Sequence, residues 1–174
     1  LDPDIVTLGK VIGGGMPVGA LAASKDLMAE LAPDGPVYQA GTLSGNPVAM
    51  QAGLATLNAL DAEGGVDRLE VLGARLEVGF SAVSAGLGVP VRLQRAGSIF
   101  WFALETETLP RSAEEIASDS MERYAKLHAG CLEAGIYLAP SGYEVGFLST
   151  AHTEDDVDFL VETLGGLLKT LYAT

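Results

Sequence analysis

The amino-acid sequence predicts an α/β fold in two parts, the end of a larger α/β sheet followed by a small α+β domain. Up to residue 61, short apolar runs alternate with glycine-rich turns, which is typical of strands. From residue 62 onward, apolar residues recur at spacings of three and four, which is typical of helices packed against a sheet. We therefore expect one domain over 1–61 and a second over 62–174.

The composition allows a folded core and argues against nucleic acid as a partner. Apolar residues make up 48% of the 174 residues, and the net charge is −13. A chain with this excess of acidic residues is not expected to form the basic patch that binds a phosphate backbone. The one cysteine, Cys131, excludes an internal disulfide, so we expect a buried thiol and a cytoplasmic location. No apolar run is long enough to predict a membrane span.

The first part predicts two strands and a short helix. Ile5–Leu8 reads as a buried strand, and Val18–Ala23 reads as a second one. Ser24 is a candidate N-cap for a helix over 25–31. The chain lacks an initiator Met, and its first predicted strand begins within a few residues of its start. We therefore expect a fragment of a longer protein.

A hydroxyl-rich loop then leads into a long helix. In the stretch 38–47, Asn46 can cap the helix, and Pro47 suits its first position. Apolar residues follow at helical spacing: Met50, Leu54 and Leu57. A loop of this kind offers N–H groups and hydroxyls to a phosphate, although an ordinary capped loop explains it equally well.

The second part predicts three helices and four strands. A helix over 66–85 is followed by strands at Val89–Leu93 and Ser98–Leu104, which turn at Gly97 and place Trp101 in the core. The remaining elements are a helix from a capping box at Ser112–Glu115 to Ala134, strands at Ile136–Leu138 and Val145–Leu148, and a last helix capped by Thr153 and Asp156.

Two residues are candidates for chemistry on local grounds. Lys10 stands between a strand and the glycines 13–15, where it is either an exposed loop lysine or a nucleophile held against a flat ligand. Glu144 lies in an apolar run, where it is either a surface acid or a desolvated proton-transfer group. The histidines 128 and 152 have no acid at ligand spacing, so a helix-surface His128, a structural His152 and no metal site are expected. A reactive lysine with a phosphate cradle suggests pyridoxal phosphate.

These stretches resemble a known family. Thr7–Lys10 with Gly13–Ala20 resembles the cofactor-lysine segment of class III aminotransferase-like enzymes of fold type I. Further stretches resemble the glutamate-1-semialdehyde 2,1-aminomutases within that group: Tyr38–Pro47, Leu138–Ser141, Glu144, Gly146–Ser149 and Ala151–Thr153. The resemblance implies the C-terminal part of a fold-type I pyridoxal-phosphate transferase, namely the end of the large α/β domain and a small α+β domain.

The resemblance also implies roles. Lys10 is expected to be the Schiff-base lysine and proton shuttle, and Thr42 with Gly41 to bind cofactor phosphate across a homodimer interface. Tyr38 is expected near the substrate and Glu144 beside the active site. The implied reaction converts glutamate-1-semialdehyde to 5-aminolevulinate, a tetrapyrrole precursor, through the pyridoxamine form of the cofactor. The isolated fragment is expected to be inactive, because the family's remaining cofactor contacts lie before residue 1.

Two alternatives stay open. The first is a class III aminotransferase that moves an amine to a 2-oxo acid, although Gly41–Ser44 favours the aminomutases. The second is a noncatalytic module that serves only for dimerisation, which predicts no cofactor binding and no effect of changing Lys10.

Overall fold

The computed structural model describes residues 2–62 and 64–173 and contains two compact units, one that ends at Gly65 and one that begins at Val66. The elements of the first unit are β1 (Ile5–Leu8), a 3₁₀ turn (Lys10–Gly13), β2 (Ala20–Ala23), α1 (Lys25–Met28) and α2 (Pro47–Ala62). The elements of the second are α3 (Gly65–Leu87), β3 (Val91–Ala96), β4 (Ile99–Leu104), a 3₁₀ turn (Ala113–Glu115), α4 (Ser120–Glu133), β5 (Gly146–Phe147) and α5 (Glu154–Leu171).

β1 and β2 form a two-stranded antiparallel sheet in which Ile5 faces Ala23 and Leu8 faces Ala20. Both predicted strands are confirmed in position, but the expected burial of β1 is wrong. All four of its residues are exposed, and 52% of the surface of Ile5 is accessible. The apolar sequence of β1 is typical of a strand that other elements bury. Among the described residues, however, β2 is the only strand that pairs with it.

α1 is shorter than predicted. Its cap is the expected one, since the Ser24 hydroxyl accepts a hydrogen bond from the Leu27 N–H at 3.4 Å. The helix ends at Met28, however, because the chain turns to form a bridge between Leu31 and Val37. The backbone N–H of Ala32 donates to the Val37 carbonyl at 2.9 Å and closes this turn.

α2 begins where the sequence predicts. The side-chain oxygen of Asn46 accepts hydrogen bonds from the N–H groups of Val48 at 2.9 Å and Ala49 at 3.3 Å. The buried face of the helix consists of small residues, Ala49 and Gly53. The larger apolar residues at helical spacing are exposed: Met50, Leu54 and Leu57.

Replacing Asn46 by alanine is expected to lower the free energy of unfolding by about 1 kcal/mol, because two N–H groups of α2 lose their acceptor. Asn58→Ala is the matched control, since Asn58 is exposed on the same helix. Urea unfolding of both variants measures the difference. Equal midpoints for the two variants would show that the cap is not stabilising.

The second unit packs three helices against a three-stranded antiparallel sheet in the order β3-β4-β5. Gly97 turns between β3 and β4 with a φ of 60°, as predicted. Apolar residues that recur at spacings of three and four in α3, α4 and α5 lie at the core, as that pattern predicts: Leu72, Leu76, Phe80, Tyr124, Leu127, Cys131, Val157, Leu160, Leu164 and Leu168. Ile116, Leu69 and Val83 are half-buried.

Cys131 is fully buried, and burial raises the pKa of its thiol to about 11. The thiol is therefore protonated and unreactive near neutral pH, as expected. Trp101 is half-buried, and its indole N–H donates to the Gly142 carbonyl at 2.7 Å, which is a structural role.

Three predicted elements differ from the structure. The Ser112–Glu115 capping box opens only a short 3₁₀ turn, because the Glu115 carboxylate accepts the N–H of Arg111 at 2.8 Å instead. The helix starts at Ser120. Residues 136–138 form no strand, and the strand predicted over 145–148 is limited to Gly146–Phe147.

The capping box at the start of α5 is confirmed. Thr153 donates through its N–H at 2.7 Å and its hydroxyl at 2.8 Å to the Asp156 carboxylate. The Thr153 hydroxyl also accepts the Asp156 N–H at 3.2 Å. These bonds hold the pKa of Asp156 below its usual value, the backbone bond being the largest cause.

Candidate active site

Lys10 is the first residue after β1 and Gly9, at the start of the 3₁₀ turn Lys10–Gly13. Its φ is 58°, in the left-handed region that a non-glycine residue rarely adopts. Such a conformation costs about 1–3 kcal/mol and persists where surrounding structure enforces it, often at functional sites. The Lys10 side chain is exposed, so its amine is accessible to a ligand.

The turn that carries Lys10 rests directly on α2. A Cβ atom on Gly53 would lie 2.1 Å from the Ile12 carbonyl oxygen, and one on Gly14 would lie 2.3 Å from the Ala52 carbonyl oxygen. The two backbones therefore touch at positions where only glycine fits. Gly53 was not predicted from the sequence, although a lone glycine inside a helical pattern is a signal for such a contact.

Tyr38, Gly41 and Thr42 lie on an exposed loop before α2. The loop turns at Gly41, whose carbonyl accepts the Ser44 N–H at 3.0 Å. The side chain of Asn46 accepts hydrogen bonds from the N–H groups of Val48 and Ala49 at the start of α2, so these two groups are not available to a phosphate. Within the part of the chain that the structure describes, the N–H and hydroxyl of Thr42 have no hydrogen-bond partner.

Glu144 belongs to the second unit, whereas Lys10, Tyr38, Gly41 and Thr42 belong to the first. Its backbone N–H donates to the Ser141 carbonyl at 3.1 Å in the turn before β5. The side chain is exposed, which agrees with the surface acid rather than with the desolvated group among the two alternatives. The neighbouring apolar side chains Tyr143, Val145 and Phe147 are themselves exposed.

The two histidines make local contacts. His128 is half-buried rather than on the helix surface, and its Nε2 lies 3.2 Å from the Leu138 carbonyl. His152 is structural, as expected, because its Nδ1 accepts the Ser149 N–H at 2.9 Å. Over 2–62 and 64–173, no group of three or more His, Cys, Asp or Glu side chains is placed to hold a metal ion. No helix in those ranges is long and apolar enough to cross a membrane.

The donors of the first unit fit a phosphate-bearing aldehyde. Lys10 offers an accessible primary amine, which is the group that binds an aldehyde covalently. Thr42 offers an N–H and a hydroxyl that bind no other group in 2–62 and 64–173, and both are groups that bind phosphate. Lys10 therefore suits the aldehyde group of pyridoxal phosphate, and Thr42 suits its phosphate group.

Comparisons with known proteins agree with this chemistry. The family model for class-III aminotransferases matches residues 1–164. A glutamate-1-semialdehyde 2,1-aminomutase from Desulfitobacterium hafniense (strain DSM 10664 / DCB-2) is 47% identical over 171 residues, which cover 98% of this chain and 40% of the relative. The chain therefore spans about two fifths of the length of such relatives.

Solved structures are similar over nearly the whole chain. A β-phenylalanine aminotransferase from Variovorax paradoxus is 34% identical with a TM-score of 0.80, covering 96% of this chain and 38% of that one. A glutamate-1-semialdehyde aminomutase from Pseudomonas aeruginosa PAO1 is 25% identical with a TM-score of 0.81, covering 98% and 40%. The chain thus has the fold of part of these enzymes, which confirms the predicted fold class.

Proposed function

The chain belongs to the class-III aminotransferase family, and from this membership we propose that it is the C-terminal part of a pyridoxal-phosphate-dependent aminomutase. The proposed reaction moves an amino group within one molecule and converts glutamate-1-semialdehyde to 5-aminolevulinate for porphyrin synthesis. The observation that carries the proposal is the 47% identity to the Desulfitobacterium aminomutase over 171 residues. Because the chain spans 40% of that relative, the activity is proposed for a longer polypeptide, and the 174 residues alone are expected to be inactive.

In this proposal the residues of the first unit hold the cofactor. The Lys10 amine binds the aldehyde carbon, and Thr42 with Gly41 binds the phosphate. When bound, the cofactor carries the amino group and withdraws electrons from the substrate carbon. Lys10 would carry the proton between the carbons that exchange it, and the strained backbone and glycine contacts beneath it fix the position of the backbone from which its side chain extends. Tyr38 and Glu144 are proposed to lie near the substrate.

We also propose that the protein is a cytoplasmic homodimer in which Thr42 reaches the neighbouring subunit's site. The support is the surface around Thr42. Apolar side chains near it are exposed, with accessible fractions of 83% for Tyr38 and 64% for both Leu43 and Val48. Clustered apolar exposure of this kind marks a surface that another protein chain covers. A reduced, buried Cys131 suits the cytoplasm.

Replacing Thr42 by valine in the intact protein is expected to weaken cofactor binding about tenfold, because valine keeps the shape but removes a hydroxyl bound to a charged phosphate. Thr42→Ser is the matched control, since it keeps the hydroxyl. Titration of each variant with pyridoxal phosphate, followed by fluorescence, measures the difference. A valine variant that binds as tightly as the serine variant would remove Thr42 from the phosphate site.

A hybrid dimer tests whether Thr42 acts across the interface. One subunit carries Lys10→Ala and the other carries Thr42→Val. If Thr42 serves the neighbouring subunit, the one remaining Lys10 receives an intact Thr42, so that one site of the two binds cofactor as tightly as wild type. If Thr42 serves its own subunit, that Lys10 is paired with valine, and no site has wild-type affinity.

The second candidate is a class-III aminotransferase that passes the amine to a 2-oxo acid. It is favoured by the 34% identity to the β-phenylalanine aminotransferase. The two candidates differ in whether a second molecule accepts the amine. Incubating the intact protein with glutamate-1-semialdehyde alone is expected to yield 5-aminolevulinate. Product that forms only after a 2-oxo acid is added would favour the aminotransferase and overturn the aminomutase.

A further inference from the structure

The second unit contains an apolar groove that the described residues leave open. Its volume is about 390 Å³. It is lined by β5 and Leu148, by residues 135–138 and by the first turns of α5, with Phe100 of β4. The polar side chains at the groove are His152 and Asp156, which are both held by local hydrogen bonds.

Three of the aromatic side chains around this groove are exposed. The accessible fractions are 79% for Tyr137, 64% for Phe147 and 50% for Phe159. Each belongs to a different lining segment, so the exposed rings surround one concavity. Large apolar side chains that gather around a groove mark a place where another polypeptide or ligand binds.

β5 offers main-chain groups to such an occupant. The Leu148 N–H donates to the Ser98 carbonyl at 2.9 Å, and Phe147 lies opposite Ile99 of β4. Because successive residues of an antiparallel strand direct their N–H and C=O groups to opposite sides, those of Phe147 point away from β4. β5 is the last strand of the sheet in the described residues, so this edge is open.

The opposite wall is a segment with the composition of a strand but no strand partner. Residues 136–138 read Ile-Tyr-Leu and pair with no strand among the described residues. Their neighbours are tied to α4 instead, since the Tyr124 hydroxyl donates to the Ala139 carbonyl at 2.6 Å and the Ile136 N–H donates to the Cys131 carbonyl at 2.8 Å. The groove therefore has an open sheet edge on one side and an unpaired apolar segment on the other.

We propose that an extended apolar segment of the same polypeptide, from outside these 174 residues, lies in this groove as an additional strand beside β5. Main-chain hydrogen bonds to Phe147 would hold the segment, and alternate apolar side chains would fill the cavity between the three rings. The inference rests on the proposed function in one respect, that the chain is part of a longer protein. Relatives have about three fifths of their length outside the matched region.

A second copy of this chain suits the groove less well. Pairing of β5 with its own copy would involve two residues from each subunit. A strand of that length contributes too few hydrogen bonds and too little buried area for a stable dimer. A longer segment of the same polypeptide is also present at high effective concentration, because it is covalently linked.

Cysteine labelling tests the proposal. Tyr137→Cys and Phe147→Cys are made separately, both in the 174-residue chain and in the intact polypeptide, and their reaction with a maleimide is timed. We expect fast labelling in the short chain and labelling roughly tenfold slower or more in the intact protein. Val78→Cys, at an exposed position on α3, is the control that is expected to react fast in both. Native Cys131 is buried and stays unlabelled while the fold is intact.

Hydrogen exchange of the Phe147 amide in the unmodified proteins gives a second readout that needs no substitution. Protection in the intact protein and fast exchange in the short chain support the proposal. Equal labelling and equal exchange in both forms would overturn it. Slow labelling in the short chain that becomes fast on dilution would assign the groove to a second copy and also overturn it. Neither readout involves substrate or cofactor, so a protein without aminomutase activity still gives a decisive result.

Discussion

Replacing Lys10 by alanine in the intact protein is expected to lower turnover by about a thousandfold or more, because the reaction loses its proton carrier and the covalent attachment of the cofactor. The bound cofactor is also expected to lose the absorbance band of its lysine adduct. Stability is expected to change little, because the Lys10 side chain is exposed. Steady-state kinetics and absorbance spectra of the purified variant measure both effects.

Two control variants separate chemistry from folding. Lys25→Ala changes another exposed lysine, in α1, and is expected to leave turnover unchanged. Lys10→Gly relieves the left-handed backbone conformation, whose φ is 58°. It is therefore expected to be inactive without a lower unfolding temperature. An active Lys10→Ala variant would remove Lys10 from the mechanism and contradict its role as the Schiff-base lysine.

Replacing Gly53 by alanine is expected to have the second largest effect. The added Cβ would lie 2.1 Å from the Ile12 carbonyl oxygen, so α2 and the Lys10 turn must move apart. Because the clash is between backbone atoms, no side-chain rotation relieves it, and we expect a loss of unfolding free energy of about 3 kcal/mol. Displacement of Lys10 is also expected to lower cofactor occupancy. Thermal unfolding and absorbance of the bound cofactor measure the two effects.

Gly166→Ala is the matched control for a glycine in a helix. A Cβ on Gly166, in α5, meets no atom within 4 Å. Alanine there is expected to raise the unfolding free energy by about 0.5–1 kcal/mol, because it restricts the unfolded chain. If Gly53→Ala were as stable as Gly166→Ala, the close contact beneath Lys10 would be contradicted.

Local signals in the sequence were sufficient where a few neighbouring residues determine the structure. Asn46 before Pro47 predicted the start of α2, and Thr153 with Asp156 predicted the start of α5. Gly97 predicted the turn between β3 and β4. In each case a side chain three residues away or fewer, or the conformational freedom of glycine, determines the backbone.

Signals were misread where another contact overrides the local pattern. Ser112–Glu115 has the capping pattern, but Glu115 accepts the N–H of Arg111 and the helix starts only at Ser120. The apolar sequence of β1 predicts a buried strand, but all four of its residues are exposed in the structure. In α2 the inward face is set by the contact of Gly53 with the Lys10 turn rather than by its largest apolar residues.

The candidate site was predicted in part. The sequence marked Lys10, Thr42 and Glu144, and the structure places the first two with accessible, unpaired donors in one unit. It did not reveal that Lys10 has a left-handed backbone, because that backbone angle follows from the packing of the turn against the helix.

Mapping the cofactor to a lysine tests the central claim most directly. The intact protein is reduced with borohydride after addition of pyridoxal phosphate and digested, and the modified peptide is identified by mass spectrometry. Within these residues the lysines are at positions 10, 25, 126 and 169. The account predicts one stoichiometric adduct, on Lys10. An adduct on Lys25, Lys126 or Lys169, or no stoichiometric adduct on this chain, would contradict it.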